Sequence, residues 1–135
     1  MDSQKNISDI VTFLNTRREV LLAFVFGSFL EDRLTGESDV DVAILFKEMP
    51  DLSQLSEIME GISRITGRET DIVVLNDASP IIKMQVLKKG RVIKKVNESV
   101  YNEFFSRTIK EYDDLKRVRR EQEEKILRGR IYARA

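Results

Sequence analysis

The sequence contains no cysteine and no histidine. The first absence excludes disulfides, thiolate nucleophiles and cysteine-based zinc sites. The second removes the side chain that most often serves as a base near neutrality and as a metal ligand. Tryptophan is missing too, and only two prolines and six glycines punctuate the chain. No apolar run approaches the roughly 20 residues of a membrane-crossing helix. The N-terminal residues lack the basic-then-apolar pattern of a secretory signal. The sequence therefore reads as a soluble, cytoplasmic protein with no membrane partner. Its chemistry is left to carboxylates, hydroxyls, lysines, arginines or a bound cofactor.

What is present is charge. Of 135 residues, 34% are charged and 41% hydrophobic, with a formal net charge of zero. That length and apolar share suit one domain with its own core. The neutrality conceals an uneven spread. Residues 107–135 hold ten Lys and Arg against six Asp and Glu, whereas residues 1–106 hold thirteen against seventeen. A mildly basic tail follows a mildly acidic body.

Ile7, Ile10, Val11 and Leu14 recur at helical spacing and predict an amphipathic helix over residues 3–18. The runs "VLLAFVF" (20–26) and "VDVAILF" (40–46) have the composition of buried strands. Met49-Pro50 breaks the second. Asp51, with Gln54 three residues on, predicts a capping box for a helix that stops before Gly67. "TDIVVLN" (70–76) predicts a third strand, and Pro80 opens a helix ending at Gly90. "RVIKKV" (91–96) predicts a short edge strand. A long helix follows from Asn97 to about Leu127, apolar at Tyr101, Phe104, Phe105, Ile109, Tyr112 and Leu115, and mostly charged beyond. Strands alternating with helices predict an α/β (α+β) class.

Two acids break the second strand's apolar character. Strand side chains alternate, so Asp39 and Asp41 project to one side with Val40 opposite. Crowded carboxylates repel, and a cation between them keeps both ionised. Oxygen ligands without His or Cys suit a hard ion, and Mg²⁺ typically takes one or two carboxylates plus substrate phosphates. Asp71 opens the third strand and joins the same cluster if the two strands are neighbours. Gly27-Ser28 closes the first strand where a short helix can begin. Glycine permits close backbone approach, and helix-start N–H groups favour phosphate. Each piece has an ordinary structural reading. Ser28 and Glu31 form S-x-x-E, a capping box; Asp39 suits a turn after Gly36; Asp41 suits a solvent-facing strand position; Asp71 merely opens its strand. Together, two apolar strands each headed by an acid and preceded by G-S make the minimum kit for handling a nucleoside triphosphate.

The pattern Gly27-Ser28, ten residues, then Asp39-Val40-Asp41 resembles the signature of the minimal nucleotidyltransferases of the DNA polymerase β superfamily. The resemblance covers roughly residues 7–96, with Asp71 where that family has its third carboxylate. It implies a nucleotidyltransferase domain over 1–96, a mixed sheet of three to four strands packed by helices, and a C-terminal helical extension of the same domain over 97–135. It implies that Gly27 and Ser28 hold the triphosphate of ATP. Asp39, Asp41 and Asp71 would then bind Mg²⁺, two ions in all, with Asp71 also activating the attacking hydroxyl. The stretch "FLEDR" departs from the family, placing Glu31 and Asp32 where a triphosphate would meet like charge; Arg33 would offset them.

Larger superfamily members carry extra domains for their acceptors, and this chain has only a helical tail. It thus looks like the antitoxins paired with HEPN-domain ribonuclease toxins, which transfer AMP from ATP to a tyrosine of the toxin. Two alternatives stay open: a non-catalytic antitoxin that neutralises by binding, and a small-molecule nucleotidyltransferase whose acceptor pocket forms in an oligomer. Assembly with itself or with another chain is compatible with either. The tail "LKRVRREQEEKILRGRIYARA" reads as a solvated helix with pairs such as Glu121–Lys125, or as arginines that meet a partner. No aromatic interleaving before Tyr132 supports direct, stand-alone nucleic-acid binding.

Overall fold

The structure, a computed structural model, describes residues 3–27 and 39–134. The two apolar runs become the inner strands of a four-stranded mixed sheet. Val20–Phe26 forms β1 and Val40–Phe46 forms β2, paired antiparallel. Thr70–Val74 (β3) lies parallel to β2, and Arg91–Lys95 (β4) lies antiparallel to β1. The order is β3-β2-β1-β4, so β4 is an edge strand, as its lysine-rich sequence predicts. Around the sheet stand α1 (Ser3–Asn15), α2 (Leu52–Thr66), α3 (Pro80–Lys89) and α4 (Glu98–Arg134).

Strand alternation sorts the core into two layers. Val40, Val42, Ile44 and Phe46 pack with Ile10 and Leu14 of α1 and Ile58 and Ile62 of α2. On the other face, Ala43 packs with Leu22 and Phe24 of β1, Val86 of α3 and Phe104 of α4. The register of β1 shifts between Val20 and Leu22, so Leu21 is bulged and the two flanking residues serve opposite faces. Gly61 lets α2 take the Phe13 ring of α1 against its backbone, where any Cβ would collide with it. Phe24 meets Tyr101 and Phe104 of α4 at ring-centroid distances of 6.4 and 6.1 Å.

The capping box forms as predicted: Asp51 accepts from the Gln54 N–H, and the Gln54 side chain accepts from the Asp51 N–H. Gly67 closes α2 at φ 70°, in the left-handed region that its missing Cβ allows. Ser79 caps α3, with Pro80 in its first turn.

Several boundaries differ from the sequence-based expectation. The first helix ends at Asn15 rather than 18, because Thr16 turns back onto the Phe13 carbonyl and the Arg17 carbonyl accepts from Val20. Lys94 of β4 then donates to the carbonyls of Leu14 and Arg17 at 2.8 and 2.9 Å, capping α1 from a distant element. The third strand ends at Val74 rather than 76. Asn76 replaces backbone pairing with its side chain: its amide oxygen accepts from Phe46 N–H at 2.9 Å, and its amide nitrogen donates to Phe46 C=O at 2.8 Å. The last strand ends at Lys95, and α4 runs on past Leu127 to Arg134. The short helix expected after Gly27-Ser28 lies outside the described residues.

The Asn76 substitute predicts a stability effect. Asn76→Ala leaves both Phe46 backbone groups without partners at a half-buried position, costing roughly 1–3 kcal/mol. Thermal melting should show a midpoint lower by several degrees.

Candidate active site

The pairing registers bring one residue from each of three strands into a row. Phe26, the last residue of β1, stands opposite Asp41 of β2, and Asp41 stands opposite Asp71 of β3. Adjacent strands run about 4.8 Å apart, so the two carboxylates are immediate neighbours. Alternation puts Asp41 on the face of Ala43, and Asp71 on the face of Val73, which is the α3/α4 face. Asp39 precedes β2 by one residue. The acids thus gather at one end of the sheet, where β1 ends and β2 and β3 begin.

That end is locked by groups the acids do not use. The Val40 N–H donates to the Glu69 carbonyl at 2.8 Å, joining the chain just before each acid-bearing position. Thr70, beside Asp71, is buried, and its hydroxyl shares a 2.9 Å hydrogen bond with the Ser63 hydroxyl of α2. Sequence reasoning missed Ser63, Thr70 and Phe26. A Ser–Thr pair seven residues apart across a helix end has no periodic signature, and an apolar strand end looks like core.

Gly27 follows at φ 80°, and a Cβ there would lie 2.5 Å from Asp41 Oδ2. A side chain at this position would therefore occupy the space of the carboxylate itself. The glycine that the sequence marks for close approach to a ligand also gives Asp41 its room. Ser28, Glu31, Asp32 and Arg33 lie outside the described residues.

Burial pushes the Asp41 carboxyl above the usual carboxylate range, and the charges of Asp71 and then Asp39 push it further. A half-buried carboxylate crowded by two others is a donor set that fits a hard divalent ion. Among the described residues no three acids already converge into a cage that would hold a metal.

A cavity of about 320 Å³ adjoins Asp71, lined by Met59, Glu60, Ser63, Glu69 and Thr70 as well. A larger cleft of about 410 Å³, lined by Leu21, Lys47, Lys83 and Arg107 among others, lies at the opposite end of the sheet and contains none of the acids.

Residues 8–99 match the family model described as polymerase beta, nucleotidyltransferase. The chain belongs to this family. Relatives of this nucleotidyltransferase include the "putative protein adenylyltransferase MJ0141" of Methanocaldococcus jannaschii. The two are 38% identical over 80 residues, covering 59% of this chain and 74% of the relative. The protein adenylyltransferase MntA of Thermococcus cleftensis is 31% identical over 65 residues, 48% of this chain and 66% of that one. Among solved structures, a chain of a toxin-antitoxin crystal structure with AMP-PNP superposes with a TM-score of 0.74 at 23% identity, over 90% of this chain and 98% of that one. A chain of the tri-AMPylated Shewanella oneidensis HEPN toxin in complex with MNT antitoxin does so with a TM-score of 0.73 at 22% identity, over 93% and 99%. At these identities the structural likeness establishes the fold of the nucleotidyltransferase. Among its described residues no helix is long and apolar enough to cross a membrane.

Proposed function

We propose that the chain is an antitoxin adenylyltransferase that moves AMP from ATP onto a tyrosine of a partner HEPN ribonuclease. The observation that carries this reading is the in-register pair Asp41–Asp71 beside a left-handed glycine whose missing Cβ makes room for Asp41. The named relatives and the toxin-antitoxin neighbours support the acceptor class.

In this reading Asp39 and Asp41, with Asp71, hold Mg²⁺. Two such ions held there would supply charge neutralisation for the triphosphate and the reacting oxygens. Gly27 and Ser28 receive the triphosphate through backbone N–H groups and a hydroxyl. Asp71, the most exposed of the three acids, faces the incoming acceptor and takes the proton from its tyrosyl hydroxyl. The tyrosyl oxygen bonds to the α-phosphorus as the bond from that phosphorus to the bridging oxygen breaks. Pyrophosphate leaves with the electron pair of the broken bond, and the tyrosine carries AMP as a phosphodiester.

An enzyme releases its product and acts again, whereas a binder neutralises only one for one. Substoichiometric protein with Mg²⁺ and millimolar ATP is therefore expected to silence an excess of the partner ribonuclease. The inactivity should persist after the two are separated, with the ribonuclease heavier by AMP. Neutralisation that survives chelation of Mg²⁺, at stoichiometric ratio and without added mass, would establish a binding antitoxin instead.

A further inference from the structure

The long C-terminal helix has a half that the body of the protein does not use. Packing on the sheet involves Tyr101 and Phe104, and among the described side chains of α4 the last half-buried one is Leu115. From Lys116 to Gly129 every residue is exposed, a stretch of about 20 Å at 1.5 Å per residue. Val118, Ile126 and Leu127 are 45%, 56% and 57% exposed. Within this stretch Arg117–Asp114 is the one ion pair formed among the described residues.

The charges here come in four blocks: "EYDD" (111–114) acidic, "KRVRR" (116–120) basic, "EQEE" (121–124) acidic and "KILRGR" (125–130) basic. A parallel, in-register copy would set each block against its like. An antiparallel copy centred between Arg120 and Glu121 sets the basic 117–120 against the acidic 121–124 and the acidic 111–114 against the basic 127–130, with Lys116 facing Lys125 as the one like-charged position. A second pattern has the same centre. Leu115, Arg119, Gln122 and Ile126 stand at i, i+4, i+7 and i+11, one stripe of a helix. Reversal about that point carries Leu115 onto Ile126 and Arg119 onto Gln122. The stripe is thus its own partner in the one register that also matches the charges. Intrahelical pairing accounts for alternating charge, but it does not require that the two aliphatic residues of this stripe stand symmetrically about the centre of the charge pattern.

We propose that the free half of α4 pairs antiparallel with the same helix of a second copy of this chain, the two-fold axis passing between Arg120 and Glu121. The contact is narrow, with one aliphatic layer at each end and charge between, so the dimer is weak and governed by salt. This inference stands on the helix alone and is independent of the reaction proposed above.

Sedimentation of the full chain is expected to show concentration-dependent dimerisation at low salt, weakened at least about tenfold by 1 M NaCl, where screening shortens to about 3 Å. Two charge variants test the charge pairing. Lys116→Glu/Arg119→Glu/Arg120→Glu makes the centre predominantly acidic, and Glu121→Lys/Glu123→Lys/Glu124→Lys makes it wholly basic. Each alone should be monomeric, and their mixture should form a one-to-one dimer. Because the chain has no cysteine, introduced thiols are unique. Leu115→Cys mixed with Ile126→Cys should cross-link under mild oxidation, whereas Ile126→Cys alone should not. A wild-type chain that remains monomeric at 1 mM and low salt overturns the proposal. So do charge variants that fail to pair with each other, a 126-to-126 cross-link, or a helix half that engages only a partner protein.

Discussion

Asp41→Asn is expected to lower nucleotide transfer by roughly 10³-fold or more, while the metal-free protein melts at or above the wild-type temperature. The two halves of this result have one cause. Asp41 stands in register with Asp71 and near Asp39, and burial together with their charges raises its carboxyl. A carboxyl raised in the folded state contributes stability that is present below its unfolded value and lost as pH rises through the folded one. At neutral pH the ionised Asp41 is therefore a net cost to the empty fold, and its amide counterpart removes that cost. Asp41 is only half-buried, so the gain is modest, within the roughly 0.2–1 kcal/mol of cross-strand charge pairs. Melting of the metal-free proteins across pH checks the sign. Wild type should lose ground relative to Asp41→Asn as pH rises from the acidic side. Added Mg²⁺ and ATP should raise the melting point of wild type far more than that of the variant. A metal-free Asp41→Asn that melts well below wild type would make the acid pair structural and remove the basis for metal-dependent transfer.

Much of the architecture was legible because local signals and burial agree. Asp51 with Gln54, Gly67 and Pro80 mark helix ends by hydrogen bonding and backbone geometry that need no tertiary partner, and each appears where predicted. The features that escaped depend on distant groups. Lys94 caps α1 from nearly 80 residues away, and Asn76 mimics a strand partner for Phe46; neither has a periodic or compositional trace. The bulge at Leu21 is equally hidden, since a uniformly apolar run does not disclose which residue changes face. For the acids, alternation alone placed Asp39 and Asp41 on one side. The third acid depended on whether β2 and β3 are neighbours, and their parallel pairing supplies that missing condition. That Gly27 yields its side-chain space to Asp41 was beyond sequence reasoning, which could assign the glycine only to a ligand.

The same register makes Asp71→Asn the second decisive variant. If Asp71 takes the acceptor's proton, its amide counterpart slows transfer by about 10²–10⁴-fold, the usual contribution of a positioned general base. Binding of Mg²⁺ and ATP should survive, because Asp39, Asp41 and Gly27 remain in place. The loss should thus fall on the rate at saturating ATP rather than on the ATP concentration needed to reach it. Asp71→Glu retains a base on a longer arm and should recover part of the rate. Asp71 is exposed while its neighbour Thr70 is buried against Ser63, so the strand position does not rest on the carboxylate and the variant should fold. Parallel loss of Mg²⁺-dependent ATP binding would make Asp71 chiefly a ligand. An unchanged rate would remove it from the reaction and leave proton removal to solvent or to the acceptor itself.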